Sequence, residues 1–509
     1  MLYTNFFVAS LQNAAPDKVL LEADGKEIQT QLLLEGSMAM AMALQQKGVK
    51  KGDRVILAVK PDIQFLKIFY ANMMIGTVMS IIDPEMGRDN YKAKLLQFDP
   101  QVAFVDSRLV LLSEHPIARW AINKWRPGLP YIPILKKCKV FTAGPWLPIV
   151  QKHHPVATLS SEVAEQPKLQ ALDEKEEFLV TYTSGTVNEP KGVLHSYATL
   201  RGSIHNLSEL FQQNKDESIA THLPPFVLVG ISSSIKVYLW DNDWPADRKM
   251  EFITKNKITT LFGPPSDYLP LMAYCQENGM HFPKSLKNIY LGSAPVYTAF
   301  LNDILGYVGA EVNVVSIYGM TENLTVAYAN AREKIVREAD GDWVGFPFPG
   351  VEIAASEDGE LALNSNQLFM RYWHLPSRQT PHQTGDLGMI DTDGSVVLQG
   401  RKKDMIIRRN FNIYPGLYEP TINKIKGITE AVMIGVYSEQ KADEEIILVV
   451  EGKEGLDGNA ILEKLKFGEY SIDKEAWPDR VAFMPLPRSG RQNKVNKNQL
   501  RADLEQKRL

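Results

Sequence analysis

Tyr182-Thr183-Ser184-Gly185-Thr186-Val187-Asn188-Glu189-Pro190-Lys191-Gly192-Val193 is the stretch from which the rest of the chain can be ordered. An apolar run, Phe178 to Tyr182, leads into it and predicts a buried strand. Beyond it, Leu200, Ile204, Leu207 and Phe211 recur at the spacing of one helix face. The stretch is therefore expected as a strand-to-helix loop carrying the hydroxyls of Thr183, Ser184 and Thr186, two glycines, and Lys191. Hydroxyls and bare backbone N–H groups can wrap phosphate oxygens, and a lysine adds positive charge. It is not a Walker A loop, because Pro190 stands where that motif needs its second glycine.

Polar loops with these residue types are common on protein surfaces, so composition alone would favour an ordinary turn. The order Thr-Ser-Gly-Thr-x-x-x-Pro-Lys-Gly is far more specific. It resembles the phosphate-binding loop of the AMP-forming adenylating superfamily, which includes acyl-CoA synthetases, luciferases and peptide adenylation domains, with some likeness to its β-lactone synthetase branch. Where that superfamily usually has Thr-Gly, this chain has Val187-Asn188. Asparagine accepts left-handed backbone more readily than most residues, which keeps the turn accessible.

The chain of 509 residues is long enough for two or more domains. Its formal charge of −4, with acidic and basic residues interleaved, argues against a nucleic-acid partner. Two cysteines, Cys138 and Cys275, supply neither a disulfide framework nor a metal cluster, and fit a reducing cytoplasmic setting. Met1 to Asn5 lacks the basic start of a signal peptide. The segment Phe65 to Ile82 is apolar but interrupted by Lys67, which predicts a core helix entering a strand rather than a transmembrane span. Residues 113–150 interleave Arg119, Lys136, Lys137 and Lys139 with Trp120, Trp125 and Trp146. A surface helix with aromatic anchors accounts for that pattern, and a peripheral membrane contact also fits it.

The resemblance continues through ordered motifs. Phe226, Val227 and Gly230 follow Pro224-Pro225 where relatives line the acyl pocket. Gly292-Ser293-Ala294-Pro295 ends an expected strand and is similar to the turn laid against adenine. Tyr318-Gly319-Met320-Thr321-Glu322 ends another, and the resemblance places Tyr318 and Gly319 at the nucleotide, Thr321 at the α-phosphate and Glu322 on Mg²⁺. Such an ion typically takes one or two carboxylates plus phosphate oxygens. In Thr384-Gly385-Asp386 the carboxylate of Asp386 is expected to accept both ribose hydroxyls, and Arg401 is a second ribose contact. Taken singly, a Thr-Glu pair is usually a helix cap and a Gly-Asp pair a turn. Near the end, Pro487-Arg488-Ser489 leads to Lys494 as the catalytic lysine, with Asn493 replacing the usual glycine.

These motifs imply an α/β protein. A large N-terminal domain (residues 1–399), with α/β sheets and a β-rich subdomain, is joined by a hinge at 400–404 centred on Lys403 to a small mobile α+β domain (405–509). The implied reaction uses ATP, magnesium and CoA. A medium- or long-chain fatty acid attacks ATP, pyrophosphate leaves, and CoA captures the acyl-adenylate. Asn410, which replaces a glycine usual before the small domain, together with the 113–150 segment, keeps open a β-lactone synthetase acting on a 2-alkyl-3-hydroxy acid. A non-catalytic nucleotide- or acyl-binding relative is the third reading. It is disfavoured by the joint presence of Thr186, Lys191, Glu322, Asp386, Arg401 and Lys494.

Overall fold

The computed structural model describes residues 6–23, 25–82, 88–125, 137–145, 147, 153–159, 172–182, 191–211, 217–241, 243–337, 339, 341–408, 411–438, 443–489 and 494–506. Two compact units emerge. The first comprises residues 1–262, 320–324 and 366–378, and the second 263–319, 325–365 and 379–509.

The first unit is built on an eight-stranded sheet. Its order is His154–Pro155, Lys139–Ala143, Val102–Asp106, Arg54–Ala58, Val78–Ile81, Glu177–Tyr182, Gly192–Ser196 and Arg371–Tyr372. The first six strands run parallel and the last two pairings are antiparallel. The parallel strands read as continuous apolar runs because helices cover such sheets on both faces. Val102–Asp106 is buried at every position. The apolar segment after residue 62 forms the helix Ile63–Ile75, started by the Asp62 carboxylate accepting from the Phe65 N–H at 2.8 Å. Among the described residues no helix is long and apolar enough to cross a membrane.

One expectation is corrected here. Gly192–Ser196 is a strand that returns antiparallel beside Glu177–Tyr182, with Tyr182 opposite Gly192. The phosphate-loop stretch therefore joins two strands, and the helix Tyr197–Leu210 starts only afterwards at a Ser196–Thr199 capping box. The run Val193-Leu194-His195 is fully buried and completes the sheet, and that tertiary burial outweighs the helical spacing that follows.

The second unit carries the parallel pair Asn288–Leu291 and Asn313–Met320, followed by antiparallel strands through Asn323–Asn330, Asp342–Pro347, Val396–Arg401, His382–Ile390, Glu360–Ser365 and Val351–Ala355. This is the β-rich piece expected from the sequence. After the 3₁₀ turn Lys402–Asp404 comes the small α+β region, still within the second unit. Its sheet pairs Ile428–Ser438 with Asp443–Gly452 and then with Arg480–Phe483. The central strands are buried on both faces. Ala431, Met433, Ile446 and Leu448 pack with Ile422 and Ile461, whereas Val432, Ile434, Ile447 and Val449 pack with Leu500 and Leu504 of the last helix. The two-residue period of a strand sends alternate side chains to these two cores. Gly416 opens the helix Pro415–Ile422 where a β-carbon would come within 2.5 Å of the Gly400 backbone, so glycine permits that helix to lie against the strand Val396–Arg401.

Candidate active site

Thr183, Ser184, Gly185 and Thr186 of the expected phosphate loop lie outside the described residues, as do Asn410 and Asn493. Lys191, at the end of that loop, is described. Its ammonium lies 5.7 Å from the centre of the Tyr372 ring. The Tyr372 hydroxyl donates to Glu322 Oε1 at 2.9 Å. Within the first unit, Tyr372 thus connects the expected phosphate lysine with the expected metal carboxylate. Burial first, and then the neighbouring Glu322 charge, raise the Tyr372 hydroxyl pKa, so it stays protonated and able to donate.

Thr321 and Glu322 form the turn between Asn313–Met320 and Asn323–Asn330. The turn is held by its backbone. Phe369 N–H donates to the Glu322 carbonyl at 2.8 Å, and His195 Nε2 donates to the Thr321 carbonyl at 2.8 Å. A carbonyl can only accept, which fixes the imidazole tautomer with its proton on Nε2. His195 is 1 % exposed, and burial pushes its pKa down to about 4 despite that hydrogen bond. It is a neutral post under the Thr-Glu turn.

The expected acyl-pocket residues sit on the helix Pro224–Ser232 of the same unit. Phe226 is partly exposed and its ring lies against that of Phe262. Val227 is 1 % exposed. A β-carbon on Gly230 would stand 2.1 Å from the Val237 side chain, so Gly230 lets the helix seat on the strand Lys236–Leu239.

In the second unit, Gly292 follows the strand Asn288–Leu291, and its N–H donates to the Gly263 carbonyl at 3.3 Å. Ser293 has φ +68, a left-handed backbone uncommon outside glycine. That turn, with Ala294 and Pro295, precedes the helix Thr298–Leu305. Asp386 is 4 % exposed, and both its oxygens are engaged. Tyr318 donates its hydroxyl to Oδ2 at 2.5 Å, and Arg401 Nε meets Oδ1 at 2.5 Å. Gly319 continues the strand that delivers Tyr318. Lys494 lies in the short strand Lys494–Val495, where it feels both Arg401 and Asp386. Burial, followed by the Arg401 charge, pushes the Lys494 ammonium down to about 8, against the pull of Asp386. Lys403 is exposed in the turn Lys402–Asp404, while its neighbour Lys402 bridges Asp358 and Glu360 at 2.7 and 2.8 Å.

The second unit therefore gathers Tyr318, Asp386, Arg401 and Lys494, and the first gathers Lys191, Glu322 and Tyr372. Sequence reasoning missed Tyr372 and His195. Neither carries a spacing signal of its own. Tyr372 meets a residue 50 positions away, and His195 one 126 positions away. Chemically, the second cluster offers a carboxylate acceptor flanked by two cations, and the first a cation and an acid joined by a phenol. These are the group types that bind the ribose and phosphates of a nucleotide.

Comparison with known proteins agrees with this chemistry. Residues 9–373 match the model of the family described as AMP-binding enzyme. A long-chain fatty-acid–CoA ligase of Mycobacterium tuberculosis, FadD13, is 22% identical over 86% of both chains. An olefin β-lactone synthetase of Stenotrophomonas maltophilia is 24% identical, over 79% of this chain and 77% of its own. In structure, ATP-bound MatB from Rhodopseudomonas palustris superposes with a TM-score of 0.80 at 22% identity, covering 98% of this chain and 99% of that one. The o-succinylbenzoate CoA synthetase of Bacillus subtilis gives 0.78 at 19%, covering 97% of each. The α/β fold is thus shared along nearly the whole length, and the chain belongs to the AMP-binding enzyme family as an AMP-forming ligase that uses ATP to activate an acid.

Proposed function

We propose that the protein is an acyl-CoA synthetase for a medium- or long-chain fatty acid. The observation that carries this reading is Lys494, held in the cluster of Asp386 and Arg401. In the first half-reaction a carboxylate oxygen attacks the α-phosphorus of ATP, the bond to the bridging oxygen breaks, and pyrophosphate leaves. Two anions must meet, so the chain's task is to place positive charge where negative charge develops. Lys191 takes the phosphates and Lys494 the acyl and α-phosphate oxygens, while Asp386 accepts the ribose hydroxyls. Thr321 offers a hydroxyl to the α-phosphate. Mg²⁺, when bound, neutralises phosphate charge, and Glu322 is the carboxylate that would hold it. Among the described residues no cluster of three or more acidic, histidine or cysteine ligands occurs. That suits an ion completing its shell with phosphate oxygens. In the second half-reaction the CoA sulfur attacks the acyl carbonyl and AMP departs.

The apolar run Pro224 to Ile231 around Phe226, Val227 and Gly230 supports an aliphatic substrate, since a second carboxylate buried there would cost several kcal/mol unless paired. Residues 400–404 act as the hinge between 1–399 and 405–509, with Lys403 at its centre. Cys138 and Cys275 are both free thiols, which supports a reducing, cytoplasmic setting. Ile117 and Trp120, exposed on the helix Pro116–Trp125, support a peripheral contact with a membrane surface.

A second reading, β-lactone synthesis, has a specific support: the Stenotrophomonas synthetase is as similar to this chain as the CoA ligases are. One experiment separates the two. Pyrophosphate and AMP release are followed over a homologous series of fatty acids and 3-hydroxy acids, with and without CoA. The expected result is a KM that falls with chain length, by about 0.8 kcal/mol per buried methylene, and turnover that requires CoA. Rapid AMP release from a 3-hydroxy acid, unaffected by CoA, would replace the synthetase reading with the lactone one. Turnover of amino acids or dicarboxylates alone would remove both.

A further inference from the structure

Glu360 opens the strand Glu360–Ser365, which lies beside His382–Ile390 with Glu360 opposite Leu387. Leu387 is in turn opposite Gly400 on Val396–Arg401, so the three residues form one row across three strands. The Glu360 side chain is 13% exposed, and its carboxylate is divided between two neighbours. Oε1 accepts from the Gly385 N–H at 2.9 Å, and Oε2 takes Lys402 Nζ at 2.8 Å. Gly385 stands directly before Asp386. Lys402 stands directly after Arg401 and directly before Lys403. One carboxylate thus touches both the turn that presents the ribose acceptor and the turn where the hinge is placed.

Both ends of this contact are prepared by the chain. Gly385 has φ +71, and among the described residues no atom lies within 4 Å of where its β-carbon would stand. The backbone angle, not crowding, selects glycine there. Next to it, the Thr384 hydroxyl accepts from the Asp386 N–H at 3.0 Å and donates to the Leu361 carbonyl at 2.8 Å. The ribose turn is therefore tied at two successive residues to the strand that Glu360 opens. On the other side, Asp358 stands beside Glu360. The Ser356 hydroxyl donates to Asp358 Oδ1 at 2.7 Å, and Asp358 Oδ2 meets Lys402 Nζ at 2.7 Å. Asp358 first, and then Glu360, hold the Lys402 pKa above its ordinary value, so the ammonium keeps its charge. An exposed ion pair alone stabilises little. The Glu360 carboxylate, however, is largely buried, and a buried charge that loses its counter-charge must turn to water or stand uncompensated. Releasing Lys402 therefore also frees the acceptor of the Gly385 N–H.

We propose that Glu360 is a positioning residue for nucleotide binding that couples the ribose turn to the hinge: Lys402 holds Glu360, Glu360 holds Gly385, and displacement of Lys402 loosens the grip of Asp386 on the ribose. The proposal rests on Asp386 as the ribose acceptor and on Lys403 as the pivot. It lets the protein hold ATP firmly while the hinge is at rest and let AMP go once the hinge has moved. By thermodynamic reciprocity, ribose bound at Asp386 steadies the hinge turn.

The test uses the full chain and amide hydrogen exchange, read on peptides covering 382–390 and 400–408. Adenosine is the probe, because it carries the ribose hydroxyls and no phosphate. In the wild type it should slow exchange in both segments. Lys402→Met should exchange faster in both without nucleotide, and adenosine should then slow 382–390 alone. Kinetics give the second readout. The ATP KM should rise by roughly two- to fivefold, the size expected of an ion pair half open to water, with the KM for the acid unchanged. Lys402→Arg should restore both readouts. Glu360→Gln keeps an acceptor for Gly385 but not the charge that holds Lys402, so it should match Lys402→Met, and combining the two should add nothing. If adenosine slows the hinge segment of Lys402→Met as much as that of the wild type, or if the two substitutions are additive, the coupling is overturned. Slowing of neither segment in the wild type would overturn it together with the ribose assignment of Asp386. Coupling that holds in a protein releasing no pyrophosphate with any acid would uphold this inference and remove the synthetase reading instead.

Discussion

Asp386 and Arg401 face each other across neighbouring antiparallel strands, and their side chains meet at 2.5 Å. The carboxylate is 6% exposed and the guanidinium 45%. The acid is therefore fixed by the sheet, while the arginine reaches it from solvent and keeps donors to spare. Tyr318 fixes the other oxygen from a third strand. A carboxylate with both oxygens oriented presents its remaining lone pairs in defined directions, which is what two adjacent ribose hydroxyls require.

Asp386→Ala is expected to raise the KM for ATP by roughly tenfold or more, because each hydrogen bond to a charged acceptor contributes about 1.5–3 kcal/mol. The KM for the acid should stay within about twofold. Steady-state kinetics with each substrate varied in turn checks this. An ATP KM equal to wild type would withdraw the ribose assignment.

Lys494→Ala should lower pyrophosphate release by roughly two to three orders of magnitude, the usual cost of removing one donor from a developing anion. Thioester formation from a supplied acyl-adenylate should persist, because no phosphorus–oxygen bond forms in that step. Parallel loss of both half-reactions would show that the lysine serves the fold rather than the chemistry.

The depressed pKa of Lys494 has a direction that can be measured. The ammonium is the useful form, and it loses its proton as pH rises through about 8 in the free enzyme. The kcat/KM for ATP should therefore fall above about pH 8, and the falling limb should move to higher pH in Lys494→Arg, whose guanidinium does not titrate there. Retention of the limb in that variant would assign it to another group.

His195 gives a stability prediction of opposite sense. In the unfolded chain it binds a proton below about pH 6.5, whereas in the fold burial delays this to about 4. Between those values the unfolded state holds the extra proton, so stability falls as pH falls, by about 3 kcal/mol in all. His195→Gln should be less stable than wild type at pH 7, having lost a shaped hydrogen bond to the Thr321 carbonyl. The gap between the two should narrow on acidification, as followed by urea midpoints at several pH values. A gap that does not change with pH would mean His195 is not held neutral.

Much of this architecture was legible in the chain. The strands Glu177–Tyr182 and Asn288–Leu291, the helix Tyr197–Leu210 and the small α+β region follow from apolar period and turn residues. Asp386, Arg401 and Lys494 were legible as residues of ordered motifs, and the fold does bring them together. The strand Gly192–Ser196 was not legible, because five buried residues of mixed β-branched, aliphatic and polar type have no periodic signature until a sheet edge receives them.

The sequence by itself determined the order of the motifs, the chemical type of each group and the alternation that makes the elements, since these depend on residue identity and local spacing. Only the tertiary structure decided which groups share a charge or a proton. Tyr372 donates to Glu322, His195 supports Thr321, and Lys497 pairs with Glu419. These partners are separated by 50, 126 and 78 residues respectively. No local pattern encodes such a meeting. It is fixed by the summed burial of the elements that carry the side chains, and the side chains take the pKa and hydrogen bonds that the resulting environment imposes.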